Sequence, residues 1–100
     1  MKIEITDDAM SPWINKGDIV EIDKDAHIGS NDIALVSGKH ENGNPFQLIR
    51  RVYIHNGYMA LIADNKDNFL FEPIIQLYRD LCLLGKVTRI FKRHSYTIET

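Results

Sequence analysis

Short apolar runs recur along this chain, broken by turn formers roughly every eight to twelve positions, a rhythm that predicts an all-β or mostly β domain with short hairpins. Lys2 to Thr6 alternates polar and apolar residues and reads as a first strand. Asp7 to Ile14 does not alternate, and Pro12 blocks a continuing ladder, so this segment is expected to be a turn or a single helical turn. Gly17-Asp18 then turns the chain into Ile19 to Asp23, whose Ile and Val favour a strand. Asp32 to Ser37 reads as the next one.

The polar stretch from Gly38 to Asn44 is rich in turn formers and is expected to form an exposed, mobile tip. A long apolar run from Phe46 to Ile54 meets His55-Asn56-Gly57-Tyr58, and Asn-Gly between two β-rich runs is the strongest local hairpin signal. Gln47 to His55 should therefore pair back on Tyr58 to Ala63. Glu72 to Tyr78 is a further candidate strand, although Ile74 to Leu81 fits a helical turn equally well. Leu83 to Phe91 closes the domain as a strand. Repeats and low-complexity segments are absent from the sequence.

Composition narrows the class. One hundred residues make one domain, with room for a sizeable core without disulfide help. The single Cys82, set in Leu81-Cys82-Leu83-Leu84, is expected to be buried and inert, as suits a reducing cytoplasm. Neither a basic-then-apolar leader nor an apolar run near eighteen residues is visible, so no membrane contact is expected. The net charge of -2 hides an asymmetry: residues 1–49 hold four Lys against nine Asp/Glu, and residues 50–100 hold eight Lys/Arg against five. An acidic front without a dense basic stripe gives little footprint for phosphate binding. If the protein acts on DNA, another domain is expected to touch it.

Candidate chemistry concentrates in Asp8-Ala9-Met10-Ser11-Pro12, followed by Gly17-Asp18 and the apolar strand. Three later segments matter with it: Leu48-Ile49-Arg50-Arg51-Val52, Leu61-Ile62-Ala63-Asp64-Asn65, and Leu83-Leu84-Gly85-Lys86-Val87-Thr88-Arg89-Ile90. In order and spacing the four resemble the LexA-like self-cleaving repressor family, which includes UmuD-like proteins and is akin to signal peptidases. There the first segment reads Asp-Ser-Met-x-Pro before Gly-Asp, and the second carries a Lys-Arg pair. The resemblance runs from about residue 7 to about residue 93. It implies a LexA-like C-terminal, signal-peptidase-like β-fold and a serine-lysine peptidase site. Two residues depart from the pattern: Ala9 stands at the nucleophile position and Arg50 at the general-base position.

Both departures remove chemistry. A serine hydroxyl attacks a carbonyl only when a base takes its proton. For a lysine to be that base, its pKa must fall from about 10.4 to about 7, which costs about 4 to 5 kcal/mol. Arginine would need about 8 kcal/mol or more on the same arithmetic, and it stays charged in proteins. Ala9 has no attacking atom. Either the domain has lost cleavage naturally, or Ala9 is an introduced replacement that traps an active protease. Lys39 and Lys66 are the other candidate bases, but neither lies in an apolar strand, the setting such a base requires.

Around the motif, Ser11 reads as a turn serine in Ser-Pro, and Asp7 and Asp8 as caps of the turn. Trp13 either fills the core or, with Met10, Ser11 and Pro12, marks an apolar cleft where a partner lies. His27, His40, His55 and His94 show no metal spacing and are expected at the surface, with His94 beside Arg93 a candidate for a partner-binding edge. Neither a metal nor a cofactor is expected. The closing segment alternates apolar and basic residues, as a half-buried strand does. In LexA-like proteins the corresponding strand takes part in a two-fold dimer contact, which implies a homodimer interface at Lys86, Val87, Thr88, Arg89, Ile90 and Phe91.

The resemblance thus implies the dimerisation domain of a cytoplasmic prophage or mobile-element repressor linked to the SOS response. It also implies an upstream helix-turn-helix module, which is not in this sequence, as the part that touches operator DNA. Without self-cleavage, induction is expected to run through a protein antirepressor at the apolar cleft or the dimer edge. The rivals are an active self-cleaving serine-lysine protease carrying a Ser-to-Ala change at position 9, and a small β-barrel that binds nucleic acid directly.

Overall fold

A computed structural model describes residues 1–66 and 71–93. Among these residues seven strands form one antiparallel sheet: β1 (Lys2–Glu4), β2 (Ile19–Asp23), β3 (Ile33–Lys39), β4 (Pro45–His55), β5 (Tyr58–Ile62), β6 (Ile74–Leu77) and β7 (Cys82–Phe91). The spatial order is β1-β2-β7-β3-β4-β5-β6. The mostly β expectation is met, and the ambiguous segment near residue 74 is both things in turn. β6 runs to Leu77, and a 3-10 turn over Tyr78–Asp80 follows.

Local chemistry explains the best-defined hairpin. Asn56 and Gly57 both adopt positive φ, 49° and 80°, the backbone that a two-residue turn between twisted strands requires. His55 then pairs with Tyr58, and β4 and β5 stay in register through Arg51 and Ile62. At the other end of the sheet the chain closes on itself across sequence. β7 pairs with β2 over Lys86 to Phe91 and with β3 over Cys82 to Lys86, with a register shift in each ladder. Gly85 sits at this crossing. A Cβ there would press on Ile22 Cγ2 and lie 3.1 Å from the Asp23 carbonyl oxygen, so a residue without one is needed for the strands to approach.

Both faces of the sheet centre are covered, which splits the core in two. Leu35 and Ile49 join Ile5, Met10, Ile14, Val20 and Ile22 on one face. Ala34 and Val36 join Phe46, Val52, Met59 and Leu61 on the other. Alternation along β3 and β4 produces this division, since successive side chains of a strand point to opposite faces.

Two expectations need correction. Cys82 is exposed, not buried, because Leu81 and Leu83 on either side of it turn toward the second cluster and Cys82 alternates outward. The closing strand is not an edge along its whole length, since β2 and β3 flank it. Only the half beyond Lys86 lacks a ladder partner on the side away from β2, among the described residues. His27, His40 and His55 are exposed as expected, while His94 lies outside the described residues.

Candidate functional site

The loop between β1 and β2 is organised by its own polar side chains. Asp7 Oδ1 accepts the Ala9 amide at 3.0 Å, so Asp7 does cap the turn. The Ile14 amide reaches the Met10 carbonyl at 3.0 Å, a single helical turn. That turn carries Met10 and Ile14 into the first core cluster and leaves Trp13 outside, 66% exposed. The Ser11-Pro12 peptide is cis. Ser11 Oγ donates to Asn15 Oδ1 at 2.7 Å, a turn contact that points it to a neighbour in its own loop. Met10 and Trp13 therefore do not share a surface: of the expected cleft residues, Pro12 and Trp13 are exposed, Ser11 is half-buried and Met10 is core.

Ala9 is fully buried. Its carbonyl accepts the Asn65 amide at 2.9 Å, and Asn65 Nδ2 donates to the Asp8 carbonyl at 3.0 Å. The Asp64-Asn65 turn after β5 thus holds the backbone on both sides of the Asp8-Ala9 bond. Asp64 itself anchors the turn to β4. It accepts Arg51 Nε at 2.9 Å and Arg51 Nη2 at 2.7 Å, a two-pronged pair in which the hydrogen bond to Asp64 raises the guanidinium pKa. Arg51 Nη1 also donates to the Asn31 carbonyl.

Arg50 faces the opposite way. Phe46, Leu48, Arg50, Val52 and Ile54 are alternate residues of β4 and share one face, so the arginine interrupts an otherwise apolar row. It is 9% exposed and donates from Nη1 to the Ile49 carbonyl at 2.8 Å. The Phe71 ring lies 5.6 Å from the guanidinium carbon. Burial pulls the Arg50 pKa down, and the charge of Asp7 works against that fall. The interaction with Asp7 places Arg50 in the electrostatic reach of the loop that carries Ala9.

A second charged cluster ties this loop to the end of β7. Asp18 is 2% exposed, and its Oδ2 accepts the Asn15 amide and Lys92 Nζ, each at 2.8 Å. Its Oδ1 accepts the Arg93 amide at 2.8 Å. Desolvation pushes the Asp18 pKa up, but hydrogen bonds from the Arg93 amide, Lys92 and the Asn15 amide outweigh it, so the net shift is downward. Lys92 Nζ also donates to the Trp13 carbonyl at 2.6 Å. Nothing local marks this clasp in the sequence, because its partners stand more than seventy residues apart. Asp18 was visible as half of the Gly-Asp turn in the family motif, not as the centre of a clasp.

A groove of about 1690 Å³ lies elsewhere, lined among others by Phe46, Ile74, Leu81 and Cys82. A smaller one of about 270 Å³ follows the half of β7 beyond Lys86, between Ile33 and Val87 to Ile90. Among the described residues no three His, Cys, Asp or Glu side chains gather as a metal-binding group, and no helix is long and apolar enough to cross a membrane.

No curated protein matches the chain. The family model for Peptidase S24-like proteins matches residues 1–88, a span that takes in Ala9, Arg50, the Asp64-Asn65 turn and most of β7. With the mostly β sheet and the four motifs in their places, this chain belongs to the Peptidase S24-like family, the LexA- and UmuD-like domains.

Proposed function

We propose that this chain is the dimerisation and regulatory domain of a prophage or mobile-element transcriptional repressor that no longer cleaves itself. The reading is supported by the match to the peptidase family over residues 1–88 together with Ala9 and Arg50, which stand where the motif resemblance sets the two dyad residues. Alanine offers no nucleophile, and a guanidinium does not give up its proton to become a base.

The half of β7 that lacks a partner on the side away from β2, among the described residues, supports a homodimer. Ile90 and Phe91 are exposed there, with Ile19 beside Phe91 across the ladder, and a second copy can extend the sheet through Thr88 to Phe91 about a two-fold axis. Lys86 and Val87 mark the start of that free half. Such a dimer sets two upstream helix-turn-helix modules on the halves of a palindromic operator, raising affinity without a DNA contact of its own. The protein acts in the cytoplasm, where the operator is.

With cleavage gone, a protein antirepressor lifts repression. Because Met10 is buried, its contact falls on Pro12 and Trp13. Lys92 joins the Trp13 carbonyl to Asp18, so a partner that moves Trp13 also strains the end of β7, next to the proposed dimer contact. The test is intact-mass analysis of the full-length protein from its unmodified gene, held at high pH and separately with activated recombinase filaments, the triggers the family resemblance implies. The mass is expected to stay whole. A split upstream of this domain would overturn the reading, and Ala9 would then be an introduced replacement in an active protease.

A further inference from the structure

We propose that Arg50 is a receptor for a carboxylate, presented by an acidic segment of a regulatory partner. The inference rests on the reading of this chain as a non-cleaving regulatory domain and names the chemistry by which its degenerate site is recognised.

A guanidinium carries five N–H donors in a fixed plane. Arg50 uses one, on the carbonyl of the preceding residue, and the Phe71 ring covers its vicinity. Among the described residues no carboxylate lies within 4.0 Å of it. Asp7, whose charge it feels, spends Oδ1 on the Ala9 amide. Buried charges in proteins are ordinarily paired, because an unpaired one forfeits its hydration with nothing in return. Arg51, one residue on, is paired in this way by Asp64. Arg50 therefore stands in an apolar row with its fork of donors largely unspent, on a residue that is 9% exposed.

The ligand class follows from shape and charge. The fork matches two planar acceptors side by side, as carboxylate and phosphate both offer. Asp7 and Asp8 stand in the neighbouring loop, and their negative charges repel a doubly charged phosphate more than a singly charged carboxylate. A carboxylate side chain is the smaller and less repelled of the two.

The test uses the full 100-residue chain, labelled with nitrogen-15, and follows the Nε–Hε resonances of Arg50 and Arg51. The probes are a short blocked peptide with one central glutamate, the same peptide with glutamine, and inorganic phosphate at matched ionic strength. The glutamate peptide should move the Arg50 resonance with an affinity about tenfold or more above either control, while Arg51, already held by Asp64, stays in place. Arg50→Met should abolish the response and melt no lower than the parent chain. An equal response to glutamine or phosphate, or no response at Arg50, overturns the proposal, as does a lowered melting point in Arg50→Met, which would show the cation to be held by its own fold. The cleavage assay separates the two ideas. A protein that splits yet shows the glutamate-dependent shift sinks the regulatory reading and keeps the site; one that stays whole without the shift sinks the site alone.

Discussion

Asp18 and Arg50 are both buried charges, yet the chain treats them in opposite ways. Asp18 fills its two oxygens with two backbone amides and an ammonium, drawn from the loop before β2 and from the far end of β7. Among the described residues Arg50 makes one hydrogen bond, to its own strand. A buried charge with all its partners fixes the relative positions of the segments that supply them. One without them fixes nothing and is costly to bury, which fits the role outside the fold proposed for Arg50. The first region is therefore a structural clasp, and the second is where a ligand is wanted.

Breaking the clasp should give the largest effect on stability. Asp18→Ala removes three charge-assisted hydrogen bonds and leaves two amides and Lys92 Nζ without that partner, at a cost of about 2–4 kcal/mol. Denaturant unfolding measures it, and a loss near zero would mean that the end of β7 is held by its strand ladder alone.

The same carboxylate should govern acid sensitivity. Its folded pKa lies below the ordinary 3.8, so the stability it contributes is fully present above that value and is lost as pH falls through the lower, folded pKa. Asp32 acts in the same direction, lowered mainly by the Gly29 amide and then by Lys86, against desolvation. Asp18→Asn should flatten the acid limb of a stability-versus-pH curve without abolishing it, because Asp32 still titrates. An unchanged limb would remove Asp18 from the account.

Arg51 gives a middle case, a cation that is paired but near the surface. Arg51→Ala should cost about 1–2 kcal/mol, since the pair with Asp64 is two-pronged and partly shielded while its water-facing side weakens it. The loss should also loosen the Asp64-Asn65 turn, and amide exchange at Asn65 and Ala9 should quicken together. Exchange that quickens at neither would mean that Asn65 holds the loop without help from Asp64.

How far these sites could be read from the chain depended on whether their causes were local. Asn56-Gly57, the strand from Ile19 to Asp23 and the turn nature of Asp7 to Ile14 are decided within a few residues, and they stood where expected. Arg50 was recognisable because its neighbours form a motif, and its burial follows from alternation along β4. Cys82 was misjudged because an apolar run does not say which alternate face is covered. Met10 and Trp13 were grouped wrongly for a related reason, since one helical turn sends Met10 and Ile14, four apart, inward and leaves Pro12 and Trp13 between them outward. The flanking of β7 by β2 and β3, and the Asp18 clasp, depend on strand order, which no local pattern carries.

The smallest change is the most pointed. Ala9→Ser places one oxygen at the proposed nucleophile position, and if Arg50 occupies the position of the base, the full-length protein should remain whole at high pH by intact-mass analysis. The candidate best placed to contradict this is Lys66, because its neighbour Asn65 is bonded to the Ala9 carbonyl and brings that stretch of chain to the loop. Lys66 is exposed, however, and so lacks the dry setting that a neutral amine requires. Cleavage by Ala9→Ser alone would show that a base other than residue 50 is in reach. It would also leave Arg50 free of any dyad role, and its unspent donors would then need an explanation from ligand binding alone.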